Sequence, residues 1–277
     1  MNGMKERSGP EEPVLEVRGL RKSFQGKEVL AGIDLEVRGG ERLVIMGPSG
    51  CGKTTLLSCL IGALKPDAGK VMLFGEDFHA LDRKERDRLR LKFGVMFQGG
   101  ALFSSLTVGE NVALPLERHS DLPKETIDIL VKLKLNQVGL GKAVDLLPAE
   151  ISGGMIKRAA LARAMALDPR ILFCDEPSAG LDPVTVTGID RLLVDQARTH
   201  GTALVVVTHE MTSAFRIADR MIMLYDGRVV AEGAPDSIRR SRDPIVAQFI
   251  EGRIEGPIGF SETAEDFAES LLEGTDR

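Results

Sequence analysis

Several small groups of residues in this 277-residue chain have the types and spacings that handle phosphate and water. The first is Gly47-Pro48-Ser49-Gly50-Cys51-Gly52-Lys53-Thr54-Thr55, which fits the pattern G-x-x-x-x-G-K-[ST]. Glycines at those places let backbone N–H groups converge on an anion with no Cβ in the way. Lys53 would reach the β- and γ-phosphates of a nucleotide, and the Thr54 hydroxyl would ligate Mg2+. The second is Asp175-Glu176, directly after the apolar run Ile171-Leu172-Phe173-Cys174. One carboxylate can hold Mg2+ through water with Thr54, while the other orients or deprotonates a water. An isolated Asp-Glu pair is usually only a polar strand end; beside a phosphate loop the chemical reading is the better one. His209 could bond a γ-phosphate and the attacking water, and Gln98 could contact Mg2+, although a lone His or Gln is more often structural. Ser152-Gly153-Gly154 is a second glycine-rich helix start, read either as another anion site or as a plain N-cap. Phe24 could stack on an adenine ring or belong to the core.

These groups need elements to hold them. Leu43–Met46 is a buried strand entering the phosphate loop, and Leu56–Leu64 is a helix leaving it. Val14–Arg18 and Ile33–Val37 alternate as half-buried strands do, and Leu20–Phe24 reads as a further short strand. Lys70–Phe74 and Phe93–Phe97 are predicted strands, and the charged stretch 82–92 a solvated helix. Residues 106–150 carry short helical patterns with Pro115, Pro123 and Pro148 as breaks. Lys157–Leu167 and Val184–His200 are predicted helices, Ala203–Val207 a strand, and Asp226-Gly227 the turn of a hairpin. Gln98, Asp175-Glu176 and His209 all follow predicted strands, where open α/β sheets bind ligands. The pattern predicts an α/β fold with a mostly parallel sheet, a flanking antiparallel β subdomain and a helical subdomain inserted at about 81–150.

Composition narrows the classes. The net charge is -5 and only 4% of residues are aromatic, which speaks against nucleic-acid binding. Cys51, Cys59 and Cys174 cannot all pair and suit no zinc site; reduced cytosolic thiols are expected. No run of about 18 apolar residues is present to span a membrane. Residues 1–13 read as disordered, with no signal-peptide pattern. From Glu251 to Arg277, eight acidic residues face two arginines, and Phe267, Leu271 and Leu272 could line a short helix. That tail is either mobile and solvated or docked on a partner subunit.

Taken in order, Phe24, Gly47–Thr54, Gln98, Ile151–Met155, Ile171–Glu176, Ser178–Asp182 and His209 resemble the seven motifs of an ABC-transporter ATPase subunit, over roughly Val14 to Ile250. The resemblance implies an ATPase domain over 14–250, with ATP and Mg2+ as ligands and a second copy of the chain as partner. Ser152, Gly153 and Gly154 of one copy would bind the γ-phosphate held by Lys53 of the other, with Asp182 in the adjoining D-loop. It further implies Glu176 as catalytic base, Asp175, Thr54 and Gln98 at the metal, and Gly99–Phe103 against a permease. The signature departs from the usual form at Ile151 and Met155. Met155, the stretch Asp175–Thr185 and the tail's Glu255–Phe260 resemble the ATPases of MCE-type (Mla) lipid transporters. That branch implies phospholipid cargo, permease, MCE-domain and small accessory partners, a place on the cytoplasmic face of the inner membrane, and a dimer-holding extension over 251–277. An importer of a polar solute remains the alternative, and an ABC-type ATPase of translation or DNA repair a remoter one.

Overall fold

The computed structural model describes residues 13–259 and builds two sheets that share an apolar core. The first is antiparallel, in the order β2-β1-β4-β5 (Lys27–Val37, Leu15–Phe24, Ala68–Leu73, Glu76–Asp77). The second has six strands, β10-β9-β3-β8-β7-β6 (Arg228–Gly233, Arg220–Tyr225, Arg42–Met46, Ala203–Val207, Ile171–Asp175, Phe93–Met96), all parallel except β10. The α/β class and its flanking antiparallel sheet are as the sequence pattern predicts.

Strand alternation shows why the parallel strands read as continuous apolar runs. On β3, Leu43 and Ile45 face the antiparallel side, where α1 (Lys53–Leu60) packs. Val44 and Met46 face the helical side with Leu172, Cys174, Leu204 and Val206. Both faces are covered, so polar alternation would bury unpaired groups. The helical side holds α3 (Val108–His119), α4 (Lys124–Gln137), α5 (Gly153–Ala164), α6 (Pro183–His200) and α7 (Met211–Ile217).

Three expectations need correcting. Residues 15–24 form one strand, not two, because a bulge at Gly19 (φ +55°) carries the ladder across, its N–H bonded to Asp34 Oδ1 at 2.7 Å. Pro115 lies inside α3 and does not break it; buried Val108, Val112 and Leu116 and the Thr107/Glu110 capping box hold the helix on either side. The 81–150 stretch is not a uniform helical insert, since β6 sits within it and pairs with β7 in the main sheet. α2 (Arg83–Arg90) precedes β6, and the helices of the insert, α3 and α4, follow it.

The expected disorder before residue 13 and the helical face of Phe267, Leu271 and Leu272 lie outside the described residues. The start of the acidic tail is ordered on its own chain. After α9 (Pro244–Glu251), Gln248 Nε2 donates to the carbonyls of Arg253, Ile254 and Ile258, and its Oε1 accepts from Ile258 N at 2.7 Å. Tyr225 donates to Pro257 O at 3.0 Å.

Candidate functional site

The site follows from strand order. β3, β8, β7 and β6 lie side by side and end at one edge. Across that edge come residues 47–54, then Thr208-His209, then Asp175-Glu176, then Gln98. Four stretches scattered in sequence from Gly47 to His209 become one row.

The phosphate loop is fixed by backbone crowding. Gly47 has φ +147°, and a Cβ there would stand 2.1 Å from Leu224 O. Gly52, the N-cap of α1 at φ +104°, would put a Cβ 2.8 Å from Val29 O. These are glycine-only positions for steric reasons. No side chain caps α1, so its first N–H groups stay available to an anion. Lys53 Nζ donates to Gly47 O at 2.6 Å and Pro48 O at 2.8 Å, which holds the ammonium over the loop. A cavity of about 260 Å3 lies between Pro48–Cys51 and Tyr225, Asp226, Ile258 and Gly259.

The carboxylates have distinct environments. Burial, and then the neighbouring Glu176 charge, push the Asp175 carboxyl above its ordinary range, against the pull of Lys157 and Lys53. Glu176 is buried, and its backbone takes φ +46°, a left-handed conformation costing on the order of 1 kcal/mol or more without glycine. Its Oε2 accepts from the Thr208 hydroxyl at 3.2 Å, and its Oε1 lies 2.7 Å from His209 Nδ1. The exposed His209 ring therefore touches a sequestered carboxylate.

Residues 98–101 lie along α5. Arg163 donates to Gly100 O at 2.9 Å and Ala101 O at 2.7 Å, and buried Lys157 donates to Gln98 O. Lys157 also donates to Glu176 O at 3.0 Å. Burial lowers its pKa, opposed by the charges of Glu176 and Asp175.

Elsewhere, Ser152 caps α5, its Oγ accepting from Met155 N at 3.3 Å. Among the described residues no hydrogen bond joins Ser152, Gly153 or Gly154 to the phosphate loop. Asp182 caps α6 and is held below the usual carboxylate range, chiefly by the Thr185 hydroxyl at 2.5 Å. Phe24 ends β1 and is exposed, with Lys22 Nζ 5.5 Å from its ring centre. Cys51, Cys59 and Cys174 are free and buried. The sequence reading missed Lys157, Arg163 and Thr208.

The donors fit Mg·ATP. The loop has glycines where a Cβ would meet neighbouring backbone and an uncapped helix start after it, and Thr54, Asp175 and Gln98 carry side-chain oxygens of the kind Mg2+ takes. Among the described residues there is no cluster of three or more His, Cys, Asp or Glu for a transition metal, whereas Mg2+ needs only one or two carboxylates beside phosphate oxygens. A separate groove of about 690 Å3 near Arg220 brings no such loop; Arg220 is already bound to Glu41 at 2.7 Å and to Glu232.

Comparison with known proteins agrees with this geometry. Residues 30–179 match the family described as ABC transporter. The chain is 40% identical over 262 residues to the intermembrane phospholipid transport system ATP-binding protein MlaF of Escherichia coli K12, covering 95% of this chain and 97% of that one. It is 41% identical over 252 residues to the probable ribonucleotide transport ATP-binding protein mkl of Mycobacterium leprae, covering 91% and 73%. Among solved structures it resembles the dimeric post-hydrolysis state of the ATP-binding cassette MJ0796 with ADP and Pi, with a TM-score of 0.75, 32% identity, and coverage of 80% and 98%.

Proposed function

From the premise that this chain belongs to the ABC transporter family as an ATP-binding, ATP-hydrolysing subunit, we propose that it powers phospholipid transport between membranes. The observation that carries the cargo is similarity at 40% identity along 97% of a phospholipid-transport ATPase. The mkl relative covers less of its own length, 73%, and the polar-solute alternative is not favoured.

In this reading Gly47–Thr55 cradle the ATP phosphates, Phe24 stacks on the adenine, and Lys53 leaves its carbonyl partners for the β- and γ-phosphates. Thr54, Asp175 and Gln98 hold Mg2+, which when bound neutralises phosphate charge. Glu176 takes a proton from the attacking water. Its burial keeps that carboxylate from bulk solvent, and the Thr208 hydroxyl and His209 ring fix its orientation. Ser152, Gly153 and Gly154 meet the nucleotide of a second copy, with Asp182 alongside. The open surroundings of Gly153, whose added Cβ would meet nothing nearer than Leu181 Cδ2 at 3.9 Å, support that assignment.

The ATPase domain is taken as 14–250, followed by an extension from 251. Among the described residues no helix is long and apolar enough to cross a membrane. We therefore assign the membrane-spanning work to permease partners at the inner membrane, with MCE-domain and small accessory subunits alongside. The test is to tag the chain, extract its complex gently from membranes, and identify proteins and lipids by mass spectrometry. A multi-span permease, an MCE-domain protein and enriched phospholipid are expected. A soluble-solute binding protein without lipid enrichment would overturn the cargo and leave the ATPase.

A further inference from the structure

We propose that Lys157 is a positioning residue for hydrolysis, tying the Gln98 loop and the backbone of Glu176 to the helix that begins at Ser152. The inference rests on the reading of Glu176 as the group that handles water.

Lys157 is 7% exposed, and a lysine this deep ordinarily has an acidic partner. Here, among the described residues, it makes no salt bridge. Its ammonium donates instead to two backbone carbonyls, Gln98 O and, at 3.0 Å, Glu176 O. Bonds from a charged donor are stronger than neutral ones, so this is a firm tether. What it tethers is a residue that needs holding. Glu176 has φ +46°, and its other backbone bonds are Glu176 N to Val207 O at 2.9 Å and Ala179 N to Glu176 O at 3.3 Å. The loop beyond Gln98 is laid on the same helix: a Cβ on Gly100 would stand 2.8 Å from Ile156 Cγ2, and Arg163 bonds Gly100 O and Ala101 O. The row of site residues is thus joined, by a cation four residues beyond Gly153, to the segment assigned to the second copy's nucleotide. A side chain that bonds the backbone of Gln98 and Glu176 in this way sets where Glu176 points.

The test uses the full chain in its membrane complex, with Lys157→Met, Lys157→Gln and Lys157→Arg beside Glu176→Gln. Met keeps the apolar stem and removes every donor; Gln keeps a neutral donor; Arg keeps the charge. Lys157→Met is expected to lower kcat roughly tenfold with the KM for ATP little changed, and to lower the melting temperature modestly because two carbonyls lose their donor. Lys157→Gln should fall between, and Lys157→Arg should recover most of the rate. The proposal is overturned if Lys157→Met and Lys157→Gln keep kcat within about twofold. It is equally overturned if kcat, ATP binding and melting temperature fall together, or if Arg recovers nothing. Full turnover in Glu176→Gln would instead sink the underlying assignment of Glu176, whatever the Lys157 variants do.

Discussion

The chain has two glycine-rich helix starts, and they are built differently. At α1 the glycines are imposed from within: Leu224 O and Val29 O leave no room for a Cβ at Gly47 or Gly52, and no side chain caps the helix. At α5 the start is loosely surrounded. Ser152 caps it through one long bond of 3.3 Å, and a Cβ on Gly153 would find only Leu181 Cδ2 at 3.9 Å. A Cβ on Gly154 would stand 2.8 Å from the side-chain methyl of Thr185. The first site is closed by its own fold. At the second, Gly154 is crowded by a side chain of its own chain, but nothing behind Gly153 demands a glycine, as expected of a surface that something outside the chain approaches closely.

The largest effects should come from the closed site. Lys53→Ala removes the only cation held over the loop among the described residues, and both ATP binding and phosphate release should be lost. Normal turnover in that variant would move the site elsewhere. Glu176→Gln should still bind ATP while turnover falls by roughly 10² to 10⁴, since a general base contributes about that much. Trapping of a dimer by ATP in this variant, read by light scattering, would join the two helix starts in one assembly.

A paired glycine scan tests the contrast itself. Gly47→Ala should cost on the order of 2–4 kcal/mol in urea unfolding, because the clashing atom is backbone and cannot swing away. Gly153→Ala should unfold within about 0.5 kcal/mol of the parent, since its new methyl meets only ordinary contacts. It should nevertheless lose turnover while retaining ATP binding. Equal destabilisation by the two substitutions would erase the distinction.

What the sequence disclosed divides along similar lines. The phosphate loop, the apolar strands and the polar groups at their ends were legible because each is a local pattern: a glycine spacing or an apolar run. The hairpin turn at Asp226-Gly227 was legible for the same reason. Features that depend on distant neighbours were not. Gly19 joins two apparent strands only because Asp34 receives its N–H. Pro115 is carried through a helix by burial on α4 and α5, which no local helix preference reports. Gln248 looks like an ordinary polar residue, yet it gathers the carbonyls of Arg253, Ile254 and Ile258. Lys157 reads as one more helix-forming residue until α5, β6 and β7 are brought together.

The smallest expected effect sharpens the idea that the closed site holds charge at a cost until its ligand arrives. Burial beside Glu176 raises the pKa of Asp175. A carboxyl whose folded pKa lies above its unfolded value favours the fold below the unfolded pKa. It loses that contribution as pH rises through the folded pKa. At neutral pH the ionised Asp175 is therefore a slight burden on the nucleotide-free chain. Asp175→Asn should melt slightly higher than the parent near pH 7. The gap should shrink as pH falls toward about 4, where unfolded aspartate also takes up its proton. The same variant should lose most of the thermal stabilisation that Mg·ATP gives the parent, because the neutral amide is a poorer ligand for Mg2+. A lower melting temperature for Asp175→Asn without nucleotide would mean that Lys53 and Lys157 more than offset the burial, and that the carboxylate row is stabilised by its own chain before ATP binds.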